Sequence, residues 1–231
     1  MGALDAIIFD FDGVIADSER LHLRAYQDVL AEDGIDFSAD EYFERYLGYD
    51  DVGVFRTLGR DRGLVMDEAR LRTLVARKGA RYEALALDGE MLFPGAADFI
   101  RAAAATVPVG IASGALSHEI EEILERTGLR ALVPVIVGAN HTMRSKPAPD
   151  PYMEAFARLQ AAAGRALDPR RSVAIEDSRW GLQSARDAGL RTVAVTNTYR
   201  ADELRADAEL VFPGLHAITL ADLDRLCEDA R

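Results

Sequence analysis

Four short segments of this chain carry residue types that could do chemistry together. The first is Asp10-Phe11-Asp12-Gly13-Val14, two carboxylates two residues apart, which can reach an open cleft beyond a covered sheet if the chain leaves its strand there. The second is Ala112-Ser113-Gly114, where a hydroxyl and exposed backbone N–H groups would make a small anion nest. The third, Ser145-Lys146-Pro147-Ala148-Pro149-Asp150, holds a lysine on a proline-stiffened loop. The fourth, Ile175-Glu176-Asp177-Ser178, ends an apolar run with two adjacent acids. Each admits a plainer reading on its own. Asp12-Gly13 can be a turn, Ser113-Gly114 an ordinary strand end, Lys146 an exposed loop residue, and the two acids the charge and cap of a helix N-terminus. The last of these leaves unexplained why an acid should end so apolar a run. The basic residues add a hint. Of 27 Lys and Arg only Lys78 and Lys146 are lysines. A coding bias is the simplest cause, yet a surviving lysine marks a place where a compact ammonium could be required.

The elements that must position these groups are legible from periodicity and from helix ends. Residues 4–9 form a run apolar but for Asp5 and closed by Asp12-Gly13, the pattern of a strand buried on both faces. Similar runs recur at 107–112, 133–137, 173–175, 192–195 and 210–212. Between them Ser117 is expected to cap a helix reaching Gly128, Asp150-Pro151 to open one through Ala163, and Ser178 to cap one ending at Gly189. This alternation predicts an α/β fold, a doubly wound parallel sheet. Residues 17–88 break the rhythm with helices at 18–32, 38–47 (a capping box in Ser38 and Glu41), 52–62 and 67–87. The expected organisation is a core of residues 1–16 and 89–231 with an inserted all-α cap of residues 17–88. All four segments then fall just past the carboxyl ends of strands, where open α/β sheets bind ligands.

In this order and at these places, Asp-x-Asp-Gly, Ser, Lys-Pro and Glu-Asp resemble the haloacid dehalogenase (HAD) superfamily of phosphotransferases. Residues 10–17, 145–152 and 176–189 look most like its β-phosphoglucomutase-like branch, whose helical cap follows the first motif, and the resemblance spans nearly the whole chain. It implies a Rossmann-like core and a role for each residue. Asp10 becomes the nucleophile that forms an aspartyl-phosphate, and Asp12 the general acid and then base. Lys146 holds the phosphoryl oxygens beside the nucleophile, while Ser113 and the Gly114 N–H complete the phosphate cradle. Four carboxylates in one cleft repel one another and a phosphate unless a divalent cation sits among them. Mg²⁺ fits, with Asp10, the Asp12 carbonyl, Glu176 and Asp177 as the implied ligands.

Asp12 separates the reactions found on such a scaffold. A halide leaving group needs no proton, so Asp12 points to an oxygen leaving group, in a phosphatase or a phosphomutase. The cap should choose between them. His22 matches a cap histidine that helps gate the acid/base aspartate in mutase members, and Lys78 a cap lysine that faces the substrate, although His22 could equally be packed at the hinge and Lys78 could be a solvated helix lysine. Mutase members carry an arginine shortly after the glycine equivalent to Gly48, to grip a second phosphate. Here Asp50 and Asp51 follow it, and only Arg45 and Arg56 flank the loop. The reading is therefore a Mg²⁺-dependent phosphatase acting on a small organic or sugar phosphate. A β-phosphoglucomutase-type mutase, or a HAD-like module without turnover, is the alternative.

Composition bounds the partners. A net charge of −12 argues against nucleic-acid or membrane-surface binding, both of which need a basic field. The single cysteine, Cys227, cannot close an internal disulfide. No apolar run is long enough to span a membrane, and the first residues have no basic region before their short apolar run, so a cytoplasmic protein is expected. The expected partner is a small phosphorylated metabolite. Oligomeric state is not legible, and a monomer is compatible with the sequence.

Overall fold

In the computed structural model, residues 2–46, 49, 51–87 and 91–228 are described. They divide into two compact units, Met1–Asp17 with Leu92–Arg231, and Ser18–Met91. The first unit is built on six strands, β1 (Ala6–Phe9), β2 (Val109–Ala112), β3 (Val135–Val137), β4 (Ser172–Glu176), β5 (Arg191–Val195) and β6 (Leu210–Phe212). All neighbours pair in parallel, in the order β3-β2-β1-β4-β5-β6. The chain starts in the middle, winds out to β3, then crosses back to β4 on the other side of β1 and winds out to β6. The reversal at β1 and β4 opens a crevice at the carboxyl edge of the sheet, the usual ligand site of this architecture.

Alternation along β1 shows why helices must cover both faces. Ala6 and Ile8 point into a cluster with Tyr152, Ala155 and Leu159 of α7 (Asp150–Ala163) and Ala185 of α8 (Arg179–Asp187). Phe9 points the other way and meets Phe99 of α5 (Ala96–Ala104) edge to face at 6.1 Å. All four β1 side chains are fully buried, as a run without a polar residue requires. The remaining helices of this unit are α6 (Ser117–Arg126), the one-turn α9 (Ala201–Leu204) and α10 (Leu220–Glu228).

The second unit holds α1 (Ser18–Glu32), α2 (Ala39–Arg45), α3 (Asp51–Arg62) and α4 (Glu68–Leu87), and no strand among its described residues. Tyr26, Phe37, Tyr42, Tyr46, Phe55 and Leu58 lead its own hydrophobic cluster. Among the described residues, no helix is long and apolar enough to cross a membrane.

Several helix ends differ from their expected form. The Ser117 hydroxyl does not cap α6. Leu116 is the extended N-cap residue, and the free N–H groups go to Glu119 and Asn140 instead. Asp150 lies inside α7 after an N-cap Pro149, because its carboxylate is drawn to Arg144 at 3.0 Å. Only half of the Ser38 capping box forms. Its hydroxyl accepts from Glu41 N at 3.1 Å, but the Glu41 carboxylate turns to Arg62 at 2.6 Å. Ser178 does cap α8, accepting from Gly181 N at 3.1 Å.

Candidate active site

The carboxyl ends of β1 and β4 bring Asp10, Glu176 and Asp177 together. Each offers an oxygen within 4.8 Å of the other two, and all three are buried. A tight turn carries the chain away from β1. The Phe11 carbonyl accepts from Ile15 and Ala16 N–H, both at 2.9 Å, and Gly13 adopts φ +78. That φ suits glycine. A Cβ at Gly13 would also run into the Asp177 carboxylate, so the turn and the acid can coexist only with a bare backbone there. Gly181 does the same for Glu176 at the start of α8.

Lys146 lies between the two buried acids, its Nζ 3.0 Å from Asp10 Oδ1 and 2.6 Å from Glu176 Oε1. Glu176 has no exposed surface, and five donors satisfy it. Lys146 and the Tyr152 hydroxyl (2.9 Å) reach Oε1, while Asp177 N, Ser178 N and Ser178 Oγ reach Oε2. Asp10 Oδ1 also accepts from Phe11 N at 2.7 Å.

Burial, and then Glu176, push the Asp10 carboxyl well above the usual range. The same two causes bring Asp177 to about 7. Burial alone would lower Lys146, but Asp10 and Glu176 outweigh it and hold the ammonium above its ordinary value. One lysine against three buried acids leaves uncompensated negative charge. An all-oxygen donor set of this kind, with excess negative charge, fits a hard divalent cation such as Mg²⁺.

Ser113 is buried just beyond β2, its Oγ accepting from Ala115 N at 3.1 Å, which leaves the O–H to donate. Gly114 beside it is exposed. Asp12 is half-buried, and its charge is among those that raise Asp10. Trp180 stands 55% exposed on α8. The sequence reading missed Tyr152 and Asn197. Asn197 follows β5 and donates to the Gly13 carbonyl at 2.8 Å, tying the first motif to a strand two places away in the sheet. Its place past the carboxyl end of an apolar run was the available signal.

The helical unit contains its own pocket, of about 550 Å³, lined by Glu19, His22, Tyr26, Tyr42, Tyr49, Asp51 and Val52. Lys78 stands behind that lining, 2% exposed, with Nζ 2.6 Å from His22 Nδ1 and 2.7 Å from Asp51 Oδ1. The ammonium also lies over the rings of Tyr26 and Tyr82. Burial, and then Lys78, lower His22 to about 4, so the ring is neutral near pH 7. Asp51 is thus neutralised by Lys78 rather than standing as a bare charge. Arg45 and Arg56 are paired with Asp61 and Glu68. Gly48, with Leu47 and Asp50, lies outside the described residues.

The family model described as haloacid dehalogenase-like hydrolase matches residues 7–195. This chain belongs to that family. Among curated relatives, the protein CbbY of Rhodobacter capsulatus is 32% identical, over 93% of this chain and 95% of its own length. Hexitol phosphatase B of Escherichia coli K12 is 30% identical, over 94% and 93%. Among solved structures, CbbY from Rhodobacter sphaeroides in complex with phosphate superimposes with a TM-score of 0.69 at 29% identity, covering 96% of this chain and 99% of that one.

Proposed function

We propose that this HAD hydrolase is a Mg²⁺-dependent phosphatase that releases phosphate from a small sugar or organic phosphate monoester through an aspartyl-phosphate at Asp10. The observation that carries the reading is Lys146 set among the buried Asp10, Glu176 and Asp177 at the carboxyl edge, on either side of the β1–β4 reversal. A relative named as a phosphatase at 30% identity along nearly the full chain supports it.

In this reading an Asp10 oxygen forms a bond to phosphorus as the ester P–O bond breaks, and Asp12 gives its proton to the departing oxygen. Asp12 then takes a proton from water as that water attacks phosphorus and frees the Asp10 carboxylate. Lys146 neutralises phosphoryl oxygens beside Asp10, while the Ser113 hydroxyl and Gly114 N–H donate to the remaining ones. Asp10, Asp177 and the Asp12 carbonyl are the proposed holders of Mg²⁺, with Glu176 completing the acidic cluster. The cation supplies charge neutralisation for the incoming phosphoryl group. Such catalysis is mostly positioning and charge compensation. For His22 we propose a part in reading the rest of the substrate from the pocket of the helical unit, with Lys78 orienting it from behind. A cytoplasmic location remains part of the proposal.

A screen of phosphorylated metabolites for phosphate release, ranked by kcat/KM, tests the reading. p-Nitrophenyl phosphate with Mg²⁺, with and without chelator, separates an enzyme from a module without turnover. ³¹P NMR of β-glucose 1-phosphate with a trace of glucose 1,6-bisphosphate separates phosphatase from mutase. Inorganic phosphate as the product supports the proposal, and fast glucose 6-phosphate formation outrunning it contradicts it.

A further inference from the structure

Tyr152 has no part in the chemistry above, yet it is fully buried against Lys146 and Glu176. Its hydroxyl donates to Glu176 Oε1 at 2.9 Å, the same oxygen that Lys146 reaches at 2.6 Å. Its ring lies 4.9 Å beneath the Lys146 ammonium. It comes from the first turn of α7, whose Ala155 and Leu159 pack on the sheet, so the ring cannot drift from this place.

We propose that Tyr152 is a positioning residue that sets how Lys146 is shared between Glu176 and the phosphate site. A carboxylate oxygen divides its attraction among its donors. With the phenol occupying part of Oε1, the ammonium is held less tightly by Glu176 and stays within reach of Asp10, 3.0 Å away on its other side. Without the hydroxyl, Oε1 turns wholly to Lys146 and draws it from the side where a phosphoryl group would sit. The Glu176 carboxylate cannot compensate by moving, because three donors pin its other oxygen and Gly181 backs it closely. The ring face beneath the ammonium offers a second, weaker attraction that the phenylalanine variant keeps.

The inference rests on the phosphatase reading, because it presumes that Lys146 meets phosphate. The test is the affinity for inorganic orthophosphate, measured by calorimetry in Mg²⁺ buffer and therefore independent of turnover, for wild type, Tyr152→Phe, Glu176→Gln and the double variant. A hydrogen bond to a charged group, partly redistributed, corresponds to about a five- to tenfold change in Kd. Tyr152→Phe is expected to weaken phosphate binding by that factor with its melting temperature nearly unchanged. In the Glu176→Gln background the same change is expected to have less than a twofold effect, since the amide no longer competes for the ammonium. Equal effects in both backgrounds, or a fall in stability with unchanged phosphate affinity, would overturn the inference and leave the phosphatase reading standing. A wild-type protein that binds no orthophosphate overturns both.

Discussion

Replacing Lys146 by methionine keeps most of the side-chain volume and removes the one cation between Asp10 and Glu176. At 3.0 and 2.6 Å, and at an effective dielectric of about 20, each attraction is worth roughly 6 kcal/mol before desolvation is counted. The wild-type ammonium gives up hydration on burial, a cost the variant avoids, so the net loss is smaller. Breaking a buried pair by removing one partner typically costs about 3–5 kcal/mol, because the other charge stays buried and unmatched. Here two carboxylates are stranded beside a third, and Glu176 has no exposed surface through which water could help. Urea unfolding in chelator at pH 8 should therefore show Lys146→Met less stable by about 3–5 kcal/mol with an unchanged slope. The variant site is also more acidic, so saturating Mg²⁺ should raise its stability by more than it raises that of the wild type. A loss under about 1 kcal/mol, or an equal Mg²⁺ gain in both proteins, would refute the claim that Lys146 neutralises a buried acidic cluster.

Gly13→Ala should abolish phosphate release while the far-UV spectrum stays native, because φ +78 and the adjacent Asp177 carboxylate leave no room for a Cβ. Retention of more than a tenth of wild-type activity would show that the turn can yield. Mg²⁺ should raise the melting temperature of the wild type and EDTA should reverse the shift, as binding to the folded state alone requires; no shift at millimolar Mg²⁺ would remove the cation from Asp10 and Asp177. His22 titrates at about 4 in the folded protein against an ordinary 6.5, so the unfolded chain takes up its proton first as the pH falls. The His22 contribution to stability is therefore full above pH 6.5 and declines by about 3 kcal/mol toward pH 4, and His22→Gln should remove that part of the pH dependence in urea titrations. Parallel pH profiles would contradict the buried neutral ring.

The strands were legible because a parallel sheet buried on both faces leaves unbroken apolar runs: 210–212 forms β6 as read, and the 173–175 run extends one residue at each end as β4. Motif order and strand ends then brought Asp10, Lys146, Glu176 and Asp177 to one edge. Helix starts were less legible, because capping is a competition that local sequence does not settle. Ser117 lost its expected role to Glu119 and Asn140, and Asp150 lost its role to Arg144. Tyr152 and Asn197 were missed because their partners lie 24 and 184 residues away in the chain. The pairing of Lys78 with His22 and Asp51 was not legible either, because those partners lie 56 and 27 residues away in the chain.

The central claim is that Asp10 attacks phosphorus. Its most direct measurement is phosphate release from the best phosphomonoester by wild type and Asp10→Asn, both with Mg²⁺ and both shown to be folded. The account predicts a loss of more than about a thousandfold in kcat for the amide variant, since it cannot form the aspartyl-phosphate and a barrier rise of about 4 kcal/mol already gives that factor. Activity of Asp10→Asn within tenfold of wild type would contradict it.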